Sequence, residues 1–276
     1  MEYITPKKPV KCELYHDHFQ NYKRYNIPKA QLVIADIPYN LGKNAYGSST
    51  EWYVGGENVN GESEKAGKSF FKTDEKFNWA EYMHFCSKLL KPEPKESGKA
   101  PAMVVFCSFE QISMVIQYGK KHGFNNSYPI FFIKNYSSQV LKANMKIVGA
   151  TEHAVVLYIE KLPKFNNGCQ KDEEGKTIRG TGKMIFNWFE WKKDDKKVYP
   201  KIHPTQKPVT ILKELVKIFT DEGDVVIDPC AGSGTTLRAC RELKRSSYGF
   251  EIEKKFYNDA MNIMLKPEEN EQLSFI

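Results

Sequence analysis

Short apolar runs alternate with amphipathic stretches along this chain of 276 residues. The apolar runs predict β-strands, because each is short, rich in β-branched or aromatic residues and bounded by turn-forming residues. Six strands are predicted, at 31–36, 101–108, 128–134, 152–160, 224–228 and 247–252. Apolar residues three or four positions apart predict helices between them, at 77–92, 109–122, 203–219, after the glycines near 232 and after 252. This alternation predicts an α/β fold with a mostly parallel central sheet and helices on both faces.

Three segments lack this pattern. Residues 40–76 contain six glycines and no hydrophobic periodicity, so they predict a long flexible loop that we interpret as a gate. Residues 161–200 are basic and polar and are broken by glycines, which predicts a small inserted element. Residues 265–276 form a mostly polar tail. We interpret the whole chain, 1–276, as one domain with these additions.

The formal net charge of +7 is concentrated in one part of the chain, because residues 161–207 hold twelve basic and six acidic side chains. Such a patch indicates either contact with a polyanion or a solvated loop. Trp188, Phe189 and Trp191 lie within it and either contact that polyanion or anchor the insert, and for at least one of them we favour the anchor. The candidate phosphate-binding residues are Lys192, Lys193, Lys196 and Lys197.

Composition argues against several classes of protein. No apolar stretch reaches the roughly 18 residues that indicate a membrane helix, and the first residues lack the apolar core of a secretory signal. The six cysteines are scattered without a Cys-x-x-Cys pair, which favours a reducing compartment over a disulfide framework or a zinc site. We therefore expect a cytoplasmic protein without a membrane segment or a metal.

A glycine-rich turn follows the fifth predicted strand, in the run Asp-Pro-Cys-Ala-Gly-Ser-Gly-Thr-Thr. Asp228 ends the strand, and Gly232 and Gly234 precede a helix, where glycine lets the backbone approach a ligand closely. Glu251 closes the next strand 19 positions after Gly232, a spacing that suits a carboxylate binding a ribose diol. Because the third glycine of the dinucleotide fingerprint is missing, a nicotinamide dinucleotide and a ligand-free tight turn remain alternatives.

The first predicted strand ends in Asp-Ile-Pro-Tyr, at Asp36, Ile37, Pro38 and Tyr39. The carboxylate of Asp36 and the carbonyl of Ile37 are placed to accept the two N–H bonds of an exocyclic amine, which would free its lone pair for methylation. Pro38 keeps Ile37 extended and so directs that carbonyl, and Tyr39 offers a ring on which an extracted base can stack. Ordinary turn chemistry is the alternative.

Three motifs in order, Asp-Ile-Pro-Tyr, His-Pro-Thr-Gln-Lys-Pro at 203–208 and the glycine turn, resemble the β group of S-adenosylmethionine-dependent DNA amino-methyltransferases. The resemblance implies a Rossmann-like fold with circularly permuted motif order and a target-recognition region at 161–200. Ile37 departs from the proline usual in that family. The resemblance also implies that S-adenosylmethionine is bound by Asp36, His203, Thr205, Lys207, Asp228, Cys230, Gly232, Gly234, Thr235 and Glu251.

The resemblance further implies methyl transfer to N6 of adenine in duplex DNA by base flipping, because Asp rather than Ser opens the catalytic motif. Cytosine-N4 transfer, a structured RNA substrate and a DNA-binding protein without turnover stay open as alternatives. Members of the family often form dimers, so a homodimer is a further expectation. The last five residues, Gln272 to Ile276, resemble pentapeptides that bind the bacterial sliding clamp, although an inert tail is the simpler interpretation.

Overall fold

The computed structural model describes residues 9–39, 77–135, 139–142, 147–170, 172–174, 176–178 and 180–266. The predicted loop at 40–76 and the pentapeptide at 272–276 lie outside these residues.

The described residues form ten strands. They are β1 (Cys12–Tyr15), β2 (Leu32–Asp36), β3 (Ala102–Cys107), β4 (Asn126–Lys134), β5 (Gln139–Lys142), β6 (Ile147–Gly149), β7 (Thr151–Tyr158), β8 (Trp188–Trp191), β9 (Val225–Asp228) and β10 (Ser246–Phe250). Eight of them make one sheet in the order β1-β10-β9-β2-β3-β7-β4-β8, and β5 pairs with β6 as a separate hairpin. Every neighbouring pair in the large sheet is parallel except the two that involve β7. The predicted, mostly parallel sheet is therefore confirmed.

Five α-helices connect the strands, namely α1 (Trp79–Leu89), α2 (Ile112–Lys121), α3 (Val209–Phe219), α4 (Thr235–Glu242) and α5 (Lys254–Asp259). A short 3₁₀ helix spans Phe19–Arg24, and the end of α5 widens into a π-helical turn at Ala260–Met264. Each predicted helix is present, and α1 and α2 are shorter than the predicted 77–92 and 109–122.

The third helix, predicted within residues 203–219 with Pro208 in its first turn, begins at Val209. Pro208 has no N–H to donate and takes the extended N-cap position. The carboxylate of Asp194 accepts from the backbone N–H of Val209 at 2.6 Å and of Thr210 at 3.2 Å, which satisfies the first free donors of the helix. Residues 203–208 are consequently a turn that leads into the helix.

The sheet is buried on both faces, which explains why its central strands appear in the sequence as continuous apolar runs. Leu32 and Ile34 of β2 belong to the cluster shared with α3 and α4. Val33 and Ala35 alternate with them and belong to the cluster shared with α1. All four side chains are essentially inaccessible to solvent, so β2 is fixed firmly up to the residue at its end, Asp36.

Strands from the two ends of the chain meet in the middle of the sheet. β9 and β10 lie between β1 and β2, with Val33 paired to Ile227. This order agrees with the circularly permuted arrangement that the sequence implied. Because β9 and β2 are parallel neighbours, their carboxyl ends, Asp228 and Asp36, lie at the same edge of the sheet, where ligands bind in open α/β sheets.

The insert at 161–200 is partly integrated into the sheet. β8 pairs in parallel with β4, a strand that sequence reasoning did not predict. Trp191 is 4% exposed and packs edge-on against Phe132, and Phe189 stacks on the same ring at 5.9 Å between centroids. The anchoring role favoured for at least one aromatic residue is thus confirmed, whereas Trp188 is 47% exposed.

Across the described ranges, every helix is too short or too polar to span a bilayer. Within the same ranges, His, Cys, Asp and Glu side chains form no group that could hold a metal ion.

Candidate active site

The end of β2 presents Asp36 to a buried lysine. Nζ of Lys207 lies 2.7 Å from Oδ2 of Asp36, and Lys207 is 6% exposed. The other oxygen, Oδ1 of Asp36, is buried and has no hydrogen-bond partner among the described residues. Burial raises the pKa of Asp36 above its ordinary value, although Lys207 opposes this shift. One carboxylate oxygen is therefore fixed, and the other is left as an acceptor.

A second buried carboxylate, Glu152, lies beside this pair. Its Oε2 accepts the hydroxyl of Tyr39 at 2.8 Å and lies 3.3 Å from Nζ of Lys207, while its Oε1 lies 2.5 Å from Nζ of Lys134. Burial alone would raise the pKa of Glu152, but Lys207 and Lys134 lower that pKa to about 2. The four charged groups, two carboxylates and two lysines, balance each other, as buried charges must.

The turn after Asp36 is supported from several sides. Nζ of Lys207 lies 5.0 Å from the centre of the Tyr39 ring, within the range of a cation–π contact. Gln111, at the start of α2, donates from Nε2 to the carbonyl of Pro38 at 2.8 Å. The Tyr39 ring is therefore held at its hydroxyl, at its face and through the backbone before it.

Ile37 is the position that departs from the family pattern. Its N–H donates to the carbonyl of Phe106 at 3.3 Å, which extends the contact between β2 and β3 by one residue. Its side chain is 2% exposed and packs in the cluster shared with α1. A proline here would lack both the N–H and this packing, so isoleucine fits this chain for structural reasons.

The glycine turn after β9 has the backbone that the sequence predicted. Gly232 has φ of 52° and Gly234 φ of 73°, in the left-handed region that glycine adopts without strain. A Cβ at Gly232 would lie 3.9 Å from Nε2 of His203, so the turn and the 203–208 segment face each other closely. The N–H of Cys230 donates to Oδ1 of Asp228 at 3.0 Å, which fixes that carboxylate below the turn.

Two buried carboxyl groups flank this turn. Burial raises the pKa of Asp228 to about 7 and that of Glu251 to about 7. Oε1 of Glu251 accepts the N–H of Glu253 at 2.7 Å. Together with Asp36 they make an acidic edge, which fits a ligand that carries a sulfonium, an ammonium and ribose hydroxyl donors. The residues present therefore fit S-adenosylmethionine.

His203 closes one side of the turn as a neutral ring. Burial, with Lys207, Lys255 and Lys201 nearby, lowers the pKa of His203 to about 4. Its Nδ1 accepts the N–H of Thr205 at 3.3 Å, which assigns the ring proton to Nε2, on the side of Gly232.

The sheet order and these two turns are those of the Rossmann-like methyltransferase fold, and the residues at the edge would hold S-adenosylmethionine. The chain belongs to the DNA methylase family, whose model matches residues 30–262.

Similar proteins agree with this assignment. The DNA adenine methyltransferase YhdJ of Escherichia coli K12 is 24% identical over 272 residues, which cover 90% of this chain and 80% of that protein. The solved complex of M1.HpyAVI with SAM has a TM-score of 0.57 at 23% identity and covers 90% of this chain and 98% of its own. The cytosine-N4-specific PvuII DNA methyltransferase has a TM-score of 0.64 at 15% identity, with coverage of 98% and 93%. Both structures show the shared fold.

Two further relatives match this chain over a smaller part of their own length. The chain covers 19% and 41% of the lengths of two type II methyltransferases, from Haemophilus influenzae and Bacillus subtilis, to which it is 47% and 30% identical over the matched residues.

The structure brings most of the predicted site residues to one edge of the sheet. Asp36, Lys207, His203, Gly232 and the residues around them lie there as described above. Thr235 begins α4 beside the turn, and Thr205 is exposed. Lys192 and Lys193 follow the carboxyl end of β8, which is parallel to β4 and so points to the same edge. The individual roles of all these residues stay predictions.

Sequence reasoning missed Glu152, Lys134 and Gln111. Lys134 and Glu152 were placed within predicted strands and were given no role. In the sequence, each of these two residues is a charged residue at one end of an otherwise apolar run, and this feature could have indicated a role.

Proposed function

We propose that this protein transfers a methyl group from S-adenosylmethionine to N6 of adenine in duplex DNA. The observation that carries the proposal is the buried Oδ1 of Asp36, an acceptor without a partner among the described residues, at the edge where the glycine turn lies. An exocyclic amine entering beside Tyr39 would give this oxygen the donor it lacks. Membership of the DNA methylase family supports nucleic acid as the substrate.

The residues of this turn suit the chemistry of an aromatic amine. Oδ1 of Asp36 accepts one N–H of the amine and the carbonyl of Ile37 accepts the other. The nitrogen then becomes more tetrahedral, and its lone pair is no longer delocalised into the aromatic ring. The bound cofactor supplies an electrophilic methyl group, so the N–C bond forms as the C–S bond breaks. Asp36 stabilises the positive charge that develops on nitrogen, and its raised pKa suits it to take the proton that nitrogen then loses. The Tyr39 ring stacks on the extruded base.

The test of this function is methyl transfer from labelled S-adenosylmethionine to unmethylated genomic DNA, followed by digestion to nucleosides. We expect label in N6-methyl-2′-deoxyadenosine. N4-methylcytosine would retain the mechanism and change the base. Label in RNA alone, or no label from a chain that binds the cofactor, would contradict the proposal. The adenine assignment is supported by Asp36 in the catalytic motif and by similarity to an adenine methyltransferase.

We further propose that DNA lies across the exposed lysines that follow β8. Lys192, Lys193, Lys196 and Lys197 are all exposed. Asp194 among them is bonded to the start of α3, and Tyr199 after them donates from its hydroxyl to Glu242 at 2.8 Å, so the segment is tied to the body at both ends. Lys192 and Lys193 lie just beyond the carboxyl end of β8, towards the edge that carries Asp36, and Lys196 and Lys197 follow them in the same tied segment.

Changing these four lysines to glutamine is expected to weaken DNA binding and its dependence on salt. Each lost phosphate contact lowers the slope of log K against log salt by about one. Binding isotherms at several salt concentrations measure this slope. The matched control changes Lys95, Lys99, Lys120 and Lys121, which are exposed near the opposite edge of the sheet. An equal loss in both quadruple variants would rule out a localised DNA surface.

The Glu251 carboxyl group predicts that cofactor binding depends on pH. Its pKa of about 7 in the free protein means that it is mainly protonated below neutral pH, yet binding ribose hydroxyls needs the carboxylate. The apparent Kd is therefore expected to weaken about tenfold from pH 8 to pH 6, as calorimetry would measure. Glu251→Gln should remove this contribution. Comparing the two proteins also subtracts the titration of the cofactor itself, and an unchanged pH dependence would contradict the assignment.

The similarity to type II methyltransferases supports a role as the modification enzyme of a restriction system, acting on DNA in a prokaryotic cytoplasm. A homodimer and a sliding-clamp contact through Gln272 to Ile276 stay predictions. Pull-down with and without these five residues tests the second of them.

A further inference from the structure

Glu152 connects the parts of the catalytic turn that must keep a fixed arrangement. Its carboxylate lies within hydrogen-bonding distance of both the Tyr39 hydroxyl, at 2.8 Å, and Nζ of Lys207, at 3.3 Å. Lys207 in turn lies 2.7 Å from Asp36. Glu152 itself belongs to β7, the strand that runs opposite to its neighbours, so its amino end reaches the catalytic edge.

We propose that Glu152 is a positioning residue for methyl transfer, which acts through Tyr39 and Lys207 on the target amine. This inference rests on the proposed function. Glu152 holds the tyrosine ring by its hydroxyl, so the stacking surface for the base has one orientation. It also shares Lys207 with Asp36, so the lysine fixes Oδ2 of Asp36 and leaves Oδ1 for the amine.

The shared lysine gives Glu152 an influence on the charge of Asp36. The negative charge of Glu152 raises the pKa of Asp36 directly. Glu152 also pairs with Lys207, so Lys207 lowers the pKa of Asp36 less than it would if Asp36 were its single partner. Neutralising Glu152 would leave Lys207 to Asp36, and the carboxylate of Asp36 would be easier to ionise. Asp36 faces other titratable groups as well, and these are Tyr39, Cys107, Asp228 and Cys230. Among these groups Glu152 acts on Tyr39, whose pKa it raises through the shared hydrogen bond, so replacing Glu152 would move the pKa of Tyr39 back towards its ordinary value.

The chain contains a second carboxylate with the same kind of partners. Glu242 of α4 accepts the Tyr199 hydroxyl at 2.8 Å and pairs with Lys213 at 2.8 Å and Arg238 at 2.5 Å. Like Glu152, it joins one tyrosine and two cations, and it packs away from Asp36. Glu242→Gln is therefore the matched control for the loss of a partly buried carboxylate away from Asp36. Because Glu242 holds the segment that follows β8, its loss can weaken DNA binding, but saturating DNA removes that effect and the dependence of kcat on pH should stay that of the wild type.

The experiment measures kcat against pH for the wild type, Glu152→Gln, Tyr39→Phe, the double variant and Glu242→Gln, at saturating DNA and cofactor. We expect Glu152→Gln to lower kcat about 10- to 100-fold, as a misplaced reacting group does. The acid limb of its kcat–pH profile, where kcat falls as Asp36 becomes protonated, should move to lower pH by about one unit. Tyr39→Phe should lower kcat without moving the acid limb to lower pH, because the Tyr39 hydroxyl lowers the pKa of Asp36 and its loss acts in the opposite direction. The effects of the two changes on kcat should be less than additive, because both break the same contact.

Each outcome bears on one proposal. An acid limb that stays in place in Glu152→Gln, or that moves equally in Glu242→Gln, overturns the positioning role, as does full additivity with Tyr39→Phe. Tyr39→Phe keeps every charge, so it provides a folded variant if Glu152→Gln fails to fold, and wild-type kcat in it also overturns the proposal. Absence of transfer by the wild type would instead refute the proposed function, while cofactor binding by calorimetry confirms that the protein is intact.

Discussion

Asp36→Ala is expected to lower kcat for methyl transfer by about a thousandfold while S-adenosylmethionine still binds. Removing the carboxylate takes away the acceptor for the amine and the negative charge that stabilises the developing cation, each of which acts in a buried site. The glycine turn, Asp228 and Glu251 remain, so the Kd of the cofactor should change by about threefold or less, under 1 kcal/mol. Single-turnover transfer and calorimetry on the same preparation measure the two quantities.

Two further variants make this result interpretable. Asp36→Asn keeps an acceptor oxygen and the shape of the side chain but loses the charge, so it should retain more activity than alanine. Asp224→Asn is the control, because Asp224 lies at the other end of β9 and pairs with Lys91 and Lys164, each at 2.8 Å. It should reduce stability with little effect on kcat. Wild-type transfer by Asp36→Ala would show that the chemistry lies elsewhere.

Lys207→Met is expected to lower the free energy of unfolding by about 3 to 5 kcal/mol at neutral pH. The methionine fills a similar volume, but Asp36 and Glu152 lose a buried cation that lies 2.7 Å and 3.3 Å from them. Breaking a buried ion pair by removing one partner leaves an uncompensated charge, which accounts for this size of effect. Urea denaturation at fixed pH measures the difference.

The pH dependence of this loss has a defined sign. In the wild type the pKa of Glu152 is about 2, below its ordinary value of 4.5, so the stability it contributes is present above that value and is lost as pH falls towards 2. The cost of Lys207→Met should therefore shrink below pH 5. Lys213→Met is the control, because Lys213 is 26% exposed and pairs with Glu242, so its loss should cost about 1 kcal/mol or less. Equal costs in the two variants would contradict a special role for burial at Lys207.

The sequence predicted the sheet well, because its central strands are buried on both faces and appear as uninterrupted apolar runs such as that of β2. The two turns at Asp36 and at Gly232 and Gly234 were also singled out from the sequence, because they occur together with the 203–208 motif in one order, although each turn alone is a weak signal. Both glycines have a positive φ in the structure, a conformation that glycine adopts without strain.

The features that the sequence did not predict depend on strand direction and on tertiary contacts. Glu152 reaches the candidate site because β7 runs antiparallel to its neighbours, and a hydrophobic pattern does not encode strand direction. β1 and β8 have four residues each, too few for a periodic signal, and β8 forms because Phe189 and Trp191 pack on Phe132. The carboxylate that caps α3 belongs to Asp194, 15 positions earlier in the chain, and no local pattern contains it.

The strand order has a consequence for how the protein is made. β1 comes first along the chain, yet its neighbour in the described sheet is β10, and Cys12 pairs with Ser247. The chain leaves the ribosome in order, so β1 has nothing to pair with until more than 230 residues have followed it. Contacts of such long sequence separation slow folding. The glycine turn is also encoded late, at residues 228–234, so a nascent chain contains the proposed catalytic turn at 36–39 long before the turn proposed to hold the methyl donor. Under the proposed function, methyl transfer would therefore begin only after the last strands have entered the sheet.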